Sequence, residues 1–369
     1  MEPSTPNDSS LREIRERVIA ANHSGSPLRL RGSGTKDFYG ESLEGEILDL
    51  RGHSGIVEYE PSELVITARC GTPIAQIEKA LAASGQFLAF EPPSFAAHAA
   101  ARPIHGGTPA AGPTLGGVIA AGLSGPRRMQ VGAARDFVLG ARLLNARGEE
   151  LRFGGRVMKN VAGFDVSRLL CGSLGILGII TEVSLKVLPQ PRTEETLQLR
   201  LGAGDAIDVF NRWGSLPLPM SAAAWASGIA WVRLSGATPA VKSARERIGG
   251  DAVDALTATQ FWDSLRHQTH PLFASPELWR VSVPSTAPTL DVPGESLVEW
   301  GGALRWHTQP ARAQAIAVGG TAAHWRGGAD TDADRFHPLS AVVMEIHRRL
   351  KQRFDPQRIF NRGRLVRSL

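Results

Sequence analysis

The sequence predicts an α+β protein built from two domains. With 369 residues, the chain exceeds one ordinary domain and fits about two. The composition changes at Pro189–Pro191, and all eight tryptophans lie beyond this point. Before it, the run Thr114–Val187 alternates glycine-dense apolar turns with strand-like segments. We therefore predict a disordered terminus over 1–10, a glycine-rich domain over 11–190, a second domain over 191–340, and a C-terminal helix with a basic closing segment over 341–369.

The elements of the first domain follow from the spacing of apolar residues. Apolar residues at helical spacing predict a helix over Leu11–Asn22. Thr72 and Pro73 are typical of a helix start, and Gly85 ends that helix. Alternating or continuous apolar runs predict strands at Leu28–Arg31, Ile47–Leu50, Gly55–Glu60, Leu64–Ala68, Val138–Asn145, Glu150–Phe153 and Gly178–Val187, and Asp165–Leu170 is predicted as a short helix.

The second half is predicted to contain the strand Ala230–Leu234, the helix Pro239–Ile248 ended by Gly249, and a last helix over Leu339–Phe354. The uncharged stretch Trp213–Val232 has the length of a membrane span. Glycines and prolines interrupt it, so we predict a helix and a strand separated by turns.

The net charge of +5 comes from the C-terminal segment. Between Ala341 and Leu369, eight Lys and Arg stand against two acids, which leaves −1 for the rest of the chain. Few aromatic residues accompany this charge, so no nucleic-acid partner is predicted. A solvated face, or a docking surface for a partner or an anionic membrane, accounts for it. The polar N-terminus shows no secretory signal, and we predict a cytoplasmic protein.

The two cysteines, Cys70 and Cys171, limit the redox chemistry of this chain. Two thiols cannot supply the four ligands of an iron–sulfur cluster. They could form one disulfide, but reduced thiols in a reducing compartment are the simpler interpretation. His267 and His270 are three apart on a predicted helix without a third ligand nearby, so no metal site is predicted.

A first glycine loop, Arg31-Gly32-Ser33-Gly34-Thr35-Lys36, follows the predicted strand Leu28–Arg31. A dinucleotide-binding turn is excluded because Asp37 stands where the third glycine is needed and no helix follows. Successive backbone N–H groups can hold a phosphate without a helix, with hydroxyls and a lysine beside them. Taken alone, the loop fits this phosphate nest and a plain surface turn equally well.

A second series of glycines extends over the following region, and its density is typical of a crevice wall that touches an extended cofactor. The segment Gly178–Thr181 runs from a glycine turn straight into a strand, so its backbone could pair with the polar edge of a planar ring. The candidate cofactor-binding residues of this series are Thr114, Leu115, Gly116, Gly117, Ser124, Gly125, Gly132, Asp136, Gly163, Gly178, Ile179 and Ile180.

In this order, the two glycine regions resemble the FAD-binding domain of the vanillyl-alcohol-oxidase, or PCMH-type, flavoproteins. The resemblance covers roughly Leu28–Val187. The segment VMKNVAGFDVSR (157–168) resembles the FAD-binding subunits of bacterial glycolate oxidases more closely. FDPQRIFNRGRL (354–365) resembles the closing motif of the glycolate oxidase and D-lactate dehydrogenase flavoproteins, with Arg362 where a proline is usual.

The resemblance implies a two-subdomain FAD-binding fold followed by a smaller α+β cap domain. It implies non-covalent FAD, since no histidine stands in the loop Arg31–Lys36; His98 and His105 are the remaining conceivable tethers. It also implies a glycolate oxidase complex with a catalytic FAD subunit and an iron–sulfur subunit. Glycolate would be oxidised to glyoxylate, and membrane contact at the cytoplasmic face of the inner membrane would come through those partners.

The residues that would act on a 2-hydroxy acid are less evident. Relatives that perform this chemistry carry a His-rich segment in the second domain that is absent here. An arginine suits a carboxylate and a histidine suits the hydroxyl proton. The weak candidates are Arg305, His307, His324 and Arg326, each near a tryptophan, although such pairs also complete half-buried strands.

Three functions remain open from the sequence. The favoured one is the flavin-bearing subunit of a glycolate oxidase. The second is a free-standing FAD-dependent 2-hydroxy-acid dehydrogenase, against which the missing base argues. The third is a non-redox interaction subunit with a vestigial cleft, against which the intact glycine series argues.

Overall fold

The computed structural model describes residues 9–95, 112–155, 165–327 and 334–369. In this part of the chain, the first domain is a five-stranded antiparallel sheet with strand order β3-β4-β8-β6-β7, accompanied by a parallel pair β1–β2 and a short pair β5–β9. Its strands are β1 (Leu28–Arg31), β2 (Glu46–Asp49), β3 (Ile56–Glu60), β4 (Val65–Arg69), β5 (Gln86–Phe87), β6 (Val138–Leu144), β7 (Glu150–Gly154), β8 (Ile179–Lys186) and β9 (Leu188–Pro189).

The helices of the first domain lie between these strands. They are α1 (Ser9–Ser24), α2 (Ile74–Ala82), α3 (Leu115–Ala121), α4 (Arg128–Val131) and α5 (Val166–Leu169). Apolar residues of α2, α3 and the sheet form one buried core, which includes Ile77, Ile119 and Val183. This core fixes α3 against the sheet and so places the loop ends that border the site.

The start of α2 differs from the prediction. The residue before its first turn is Pro73, not Thr72. The Thr72 hydroxyl instead donates to the carbonyl of Arg69 at 2.7 Å and accepts from the amide of Gly55 at 2.9 Å. Thr72 therefore ties two loops together, because its side chain finds backbone partners outside the helix.

The second domain is an eight-stranded antiparallel sheet with the order β13-β10-β12-β11-β15-β16-β14-β17. Its strands are β10 (Thr193–Arg200), β11 (Met220–Ala226), β12 (Ile229–Gly236), β13 (Asp251–Val253), β14 (Leu278–Ser282), β15 (Ser296–Glu299), β16 (Leu304–His307) and β17 (Thr321–Arg326). Its helices are α6 (Ala203–Gly214), α7 (Thr238–Ile248), α8 (Ala255–Arg266) and α9 (Arg312–Ala317).

The uncharged stretch Trp213–Val232 contains the end of α6 and then the antiparallel pair β11–β12. The prediction of a helix and one strand was therefore incomplete, since Ser227 and Gly228 form a tight hairpin with positive φ between two strands. Among the described residues, no helix is both long enough and apolar enough to cross a bilayer.

The two sheets meet through one apolar cluster and one polar network. The cluster joins Phe95 and Leu174 of the first domain to tryptophans of the second. In the network, the buried Glu91 carboxylate accepts from the Arg127 amide at 2.7 Å and from the Arg233 guanidinium at 2.8 Å. The Arg127 guanidinium also pairs with Glu194 at 2.6 Å, so both buried arginines have a carboxylate partner at the domain junction.

The C-terminal segment returns to the first domain after α10 (Ala341–Phe354). Phe360 bridges Leu28 of β1, and the buried Lys351 ammonium donates to Asp355 at 2.7 Å and to the carbonyls of Ile176 and Phe360. The closing segment is thus part of the first domain's structure.

Candidate functional site

A cleft opens beside β1, α3 and the start of β8. Most of the residues predicted to bind a cofactor line it, although they come from three separate parts of the sequence. We call it the glycine cleft, and define it by Arg31, Gly32, Ser33, Gly34, Thr35, Lys36, Thr114, Gly116, Gly117, Gly178, Ile179 and Ile180.

The loop after β1 presents its backbone to this cleft. The amides of Ser33, Gly34, Thr35 and Lys36 donate no hydrogen bond to any residue that the structure describes. Gly34 has a φ of +75°, a left-handed conformation that alternates the direction of successive amides. Consecutive amides without partners on a cleft wall form an anion site, which fits the pyrophosphate of a dinucleotide.

Two side chains give this loop its charge. The Arg31 guanidinium is paired with Asp37 at 2.9 Å, so it stabilises the loop's shape. Among the described residues, the Lys36 ammonium has only a long contact of 3.4 Å to the Thr35 hydroxyl and a cation–π contact with Phe95. Desolvation lowers the pKa of Lys36 to about 7. An anion placed in the cleft would restore its charge.

Two positions of the cleft, Gly32 and Gly116, require glycine because neighbouring residues lie too close for a side chain. A Cβ on Gly32 would fall 2.2 Å from the Thr114 hydroxyl, and one on Gly116 would fall 2.7 Å from the Cβ of Cys70. A side chain at Gly32 would therefore displace the Thr114 side chain, and one at Gly116 would push α3 away from Cys70. Leu115, predicted as a binding residue, instead packs into the buried core, while its amide donates to the carbonyl of Thr72 at 2.9 Å.

The start of β8 provides an open strand edge. On the β4 side, pairing begins at Glu182, and the Cys70 amide donates to the carbonyl of Thr181 at 2.9 Å. On that side, Gly178–Ile180 pairs with none of the described strands, and all three residues line the cleft. Their backbone is free to meet the polar edge of a planar ring. Both cysteines are free thiols.

The closing segment (354–365) holds the glycine loop Arg31–Lys36 in place through hydrogen bonds. The Arg364 guanidinium donates to the carbonyls of Lys36, Asp37 and Glu41 at 2.8–3.0 Å. The Asn361 amide group accepts from Leu30 at 2.8 Å and donates to the carbonyl of Leu174 at 2.7 Å. Both residues also line the cleft. The C-terminal motif therefore positions the loop, a role that its sequence alone did not reveal.

Besides Leu115, four predicted cofactor residues lie outside the glycine cleft: Ser124, Gly125, Gly132 and Asp136. Asp136 accepts from the amide of Ala133 at 2.8 Å beside Gly132, and this local cap lies outside the cleft. Ser124 accepts from the amide of Ala134 at 2.9 Å and, with Gly125, lines a second cavity. Gly163 and the conceivable tethers His98 and His105 lie outside the described residues.

This second cavity is small and lies between the two domains. We call it the tryptophan pocket and define it by Arg280, Glu299, Trp300, Trp306 and Trp325. The Trp300 indole donates to the carbonyl of Gly125 at 3.1 Å, and the Trp306 indole donates to the Glu299 carboxyl at 2.8 Å. Burial raises the pKa of Glu299 to about 7. Sequence reasoning missed Arg280, whose only signal was the tryptophan that precedes it, Trp279.

The four weak catalytic candidates lie on β16 and β17. The Arg305 guanidinium donates to the carbonyls of Gly302, Ala287 and Pro288. His307 is buried, and neither ring nitrogen has a hydrogen-bond partner among the described residues. Desolvation and the neighbouring Arg305 lower the pKa of His307 to about 4. Alternation along β16 turns both side chains away from Trp306 and the tryptophan pocket.

The other two candidates also make contacts within the fold. His324 stacks on Trp279, with Nε2 at 3.0 Å from Glu277 but without hydrogen-bond geometry. Arg326 donates to the carbonyl of Phe273 and lies over the ring of Phe38. None of the four lines either cavity.

The glycine cleft fits FAD on the observations above. The free amides and Lys36 suit its pyrophosphate, the missing side chains at Gly32 and Gly116 permit the close walls, and the open β8 edge suits a ring.

Comparison with known proteins agrees with this class, because a family model described as an FAD binding domain matches residues 9–101. The solved structure of an alkyldihydroxyacetonephosphate synthase shares the fold, with a TM-score of 0.64 at 15% identity over 95% of this chain and 75% of that one. The protein is an FAD-binding oxidoreductase with the predicted α+β, PCMH-type fold.

Sequence relatives place the chain more narrowly. The glycolate oxidase subunit GlcE of Escherichia coli is 45% identical over 362 residues, which are 96% of this chain and 97% of that protein. The chain belongs to this glycolate oxidase subunit GlcE family, which confirms the predicted resemblance. The glycolate oxidase subunit GlcD of Bacillus subtilis is 34% identical over 46% of this chain, and the D-lactate dehydrogenase of Archaeoglobus fulgidus is 28% identical over 52%. These matches span 34% and 40% of the two proteins.

Proposed function

We propose that this chain is the FAD-carrying subunit of a glycolate oxidase complex that converts glycolate to glyoxylate. The observation that carries the proposal is the glycine cleft in a chain 45% identical to glycolate oxidase subunit GlcE over nearly its whole length. Bound FAD supplies an acceptor for the two electrons released by the substrate.

The residues of this chain would bind and orient the cofactor. The amides of Ser33–Lys36 and the Lys36 ammonium would hold the pyrophosphate, while Arg364 and Asn361 keep the loop in place from the protein side. The Gly178–Ile180 edge would meet the polar edge of a ring. No histidine lies in the loop Arg31–Lys36, which supports non-covalent binding.

The partners we propose are a second FAD subunit resembling GlcD and an iron–sulfur subunit. The matched region of GlcD shows that the two subunit types are related in sequence. This chain has only two cysteines, so a cluster that takes the electrons onward must be held by another chain. Any contact with the membrane would then be peripheral and would come through those partners.

Co-expression tests this proposal. The chain would be purified with its GlcD-type and iron–sulfur partners, and glycolate-dependent reduction of a dye would be measured for the complex and for each subunit alone. We expect activity in the complex and little from the isolated chain. A complex that keeps full activity when this chain is omitted, or a failure of the chain to co-purify, would contradict the proposal.

A further inference from the structure

We propose that the tryptophan pocket binds the carboxylate of a small hydroxy or oxo acid of two or three carbons. Arg280 would hold the carboxylate, and Glu299 would hydrogen-bond the neighbouring oxygen. The proposal deepens the proposed function and rests on it, because it assigns a substrate-side site to this chain.

Arg280 is a cation without a counterion. Its guanidinium makes no hydrogen bond or ion pair with any residue that the structure describes. It lies 5.3–6.0 Å from the ring centroids of Trp300, Trp306 and Trp325, and burial lowers its pKa. Enclosing a charge in this way is unfavourable unless an anion joins it. The planar fork of a guanidinium matches both oxygens of a carboxylate.

A comparison within the second sheet supports this assignment. Arg305, on the opposite face of the same sheet, donates to three backbone carbonyls and is fully used by the fold. Arg233 is likewise paired with Glu91 at 2.8 Å. These two buried arginines are therefore satisfied by fixed acceptors, whereas the half-buried Arg280 has no such acceptor among the described residues. Arg280 lies on the face of β14 that borders the cavity, and it is the direct cross-strand partner of Trp306 on β16.

Glu299 completes the pocket. Its charge and that of Arg280 interact, yet the two side chains form no ion pair. One carboxyl oxygen is fixed by the Trp306 indole, and the carboxyl also lines the cavity. The cavity that both side chains line is small and walled by rings, which favours a ligand of few atoms over an extended one.

The pocket adjoins the glycine cleft. Tyr39 lines that cleft, and its ring lies 4.7 Å from the ring of Trp325 in the pocket wall. Ser124 and Gly125 form the wall contributed by the first domain. A ligand on Arg280 would therefore lie one residue layer from the cofactor cleft, at the junction of the domains.

The test uses the full flavin-loaded chain and oxamate, a small carboxylate without an oxidisable hydroxyl. Calorimetric titration gives the dissociation constant, and tryptophan emission gives a local signal because three indoles surround Arg280. We expect saturable binding that Arg280→Gln weakens roughly tenfold to hundredfold, as expected for loss of a charged hydrogen bond. Arg280→Lys keeps the charge but not the fork, and we expect a smaller loss.

The matched control is Arg245→Gln, which removes the same charge from an exposed ion pair with Glu195. It should bind oxamate like the parent. If Arg280→Gln does not melt cooperatively, Arg280→Lys carries the test. No saturable binding by the parent, or unchanged binding by the folded Arg280 variants, would overturn the pocket. Flavin content is measured on the same samples, so a chain that lacks flavin contradicts the proposed function separately.

Discussion

The glycine cleft and the tryptophan pocket recognise ligands by opposite means. The cleft offers backbone amides and a free strand edge, and its close walls require residues without side chains. The pocket offers a guanidinium, a carboxyl and three indoles. A backbone site is damaged by adding atoms, whereas a side-chain site is damaged by removing them. The following predictions use this difference.

The largest effect is expected from Gly32→Val. Its side chain would meet the Thr114 hydroxyl, since a Cβ alone already falls 2.2 Å from it. We expect the variant to retain almost no FAD, measured as flavin absorbance per protein after desalting. Gly52→Val is the matched control, because nothing lies within 4 Å of a Cβ there. Ser33→Ala should also keep its flavin, and loss of flavin in Ser33→Ala would mean that side chains dominate the cleft.

Lys36→Met tests the one cleft side chain given a binding role. We expect FAD affinity to fall roughly tenfold to hundredfold at pH 6, as for loss of a charged hydrogen bond. In the flavin-free chain the pKa of Lys36 is about 7. Above that pH, Lys36 must therefore take up a proton before it can bind an anion. Parent affinity should therefore decline by up to about tenfold per pH unit above 7.

The lowered pKa of Lys36 has the opposite effect on stability: FAD affinity falls as the pH rises, whereas the stability of the flavin-free protein increases. The unfolded chain holds this proton up to the ordinary pKa of 10.5, so the flavin-free protein should become more stable as the pH rises from 7 towards 10.5. Lys36→Met should remove that rise. An affinity that does not change with pH in the parent would show that Lys36 does not face the bound anion.

Asn361→Ala tests the support given by the closing segment. It removes bonds to the Leu30 amide and the Leu174 carbonyl, and we expect the free energy of unfolding to fall by about 1–3 kcal/mol. Flavin content should fall less than in Gly32→Val. Denaturant unfolding checks the loss of stability, and Asn211→Ala, an amide bonded within the second domain, is the control for flavin content. Equal flavin loss in both variants would contradict a local role for Asn361.

The smallest effect is expected from His307→Leu in the second domain. Burial lowers the pKa of His307 to about 4, below the ordinary value of 6.5. The unfolded state therefore binds this proton first, and the parent should lose stability as the pH falls from 6.5 to 4. His307→Leu should reduce this acid sensitivity and leave flavin content unchanged. A melting profile with the same pH dependence as the parent would show that His307 is accessible and titrates normally.

The contrast between the two sites also explains what the sequence could predict. Gly32, Gly116 and Gly178 could be identified from the sequence, because turns and close approaches of the backbone require glycine and these glycines occur in a recognisable order. The core helices and strands were predicted for the same reason, since local periodicity determines them. Gly132 and Asp136 belong to the same glycine-rich pattern, yet they form a local cap outside the cleft.

The tryptophan pocket could not be predicted in this way. Arg280, Glu299 and Trp325 come from three strands that only the sheet order brings together. Sequence reasoning selected β16, but alternation along that strand turns Arg305 and His307 to one face and Trp306 to the other. Neighbouring residues of β16 therefore face opposite sides of the sheet, so Arg305 bonds within the fold while Trp306 lines the tryptophan pocket.

The most direct test of the central claim is the flavin content of the purified chain. The chain would be expressed alone, saturated with FAD, desalted, and its flavin absorbance compared with its protein concentration. The structure predicts about one FAD per chain, released by Gly32→Val and retained by Gly52→Val. A folded parent chain that binds no FAD, or a Gly32→Val variant as yellow as the parent, would contradict the assignment of the glycine cleft.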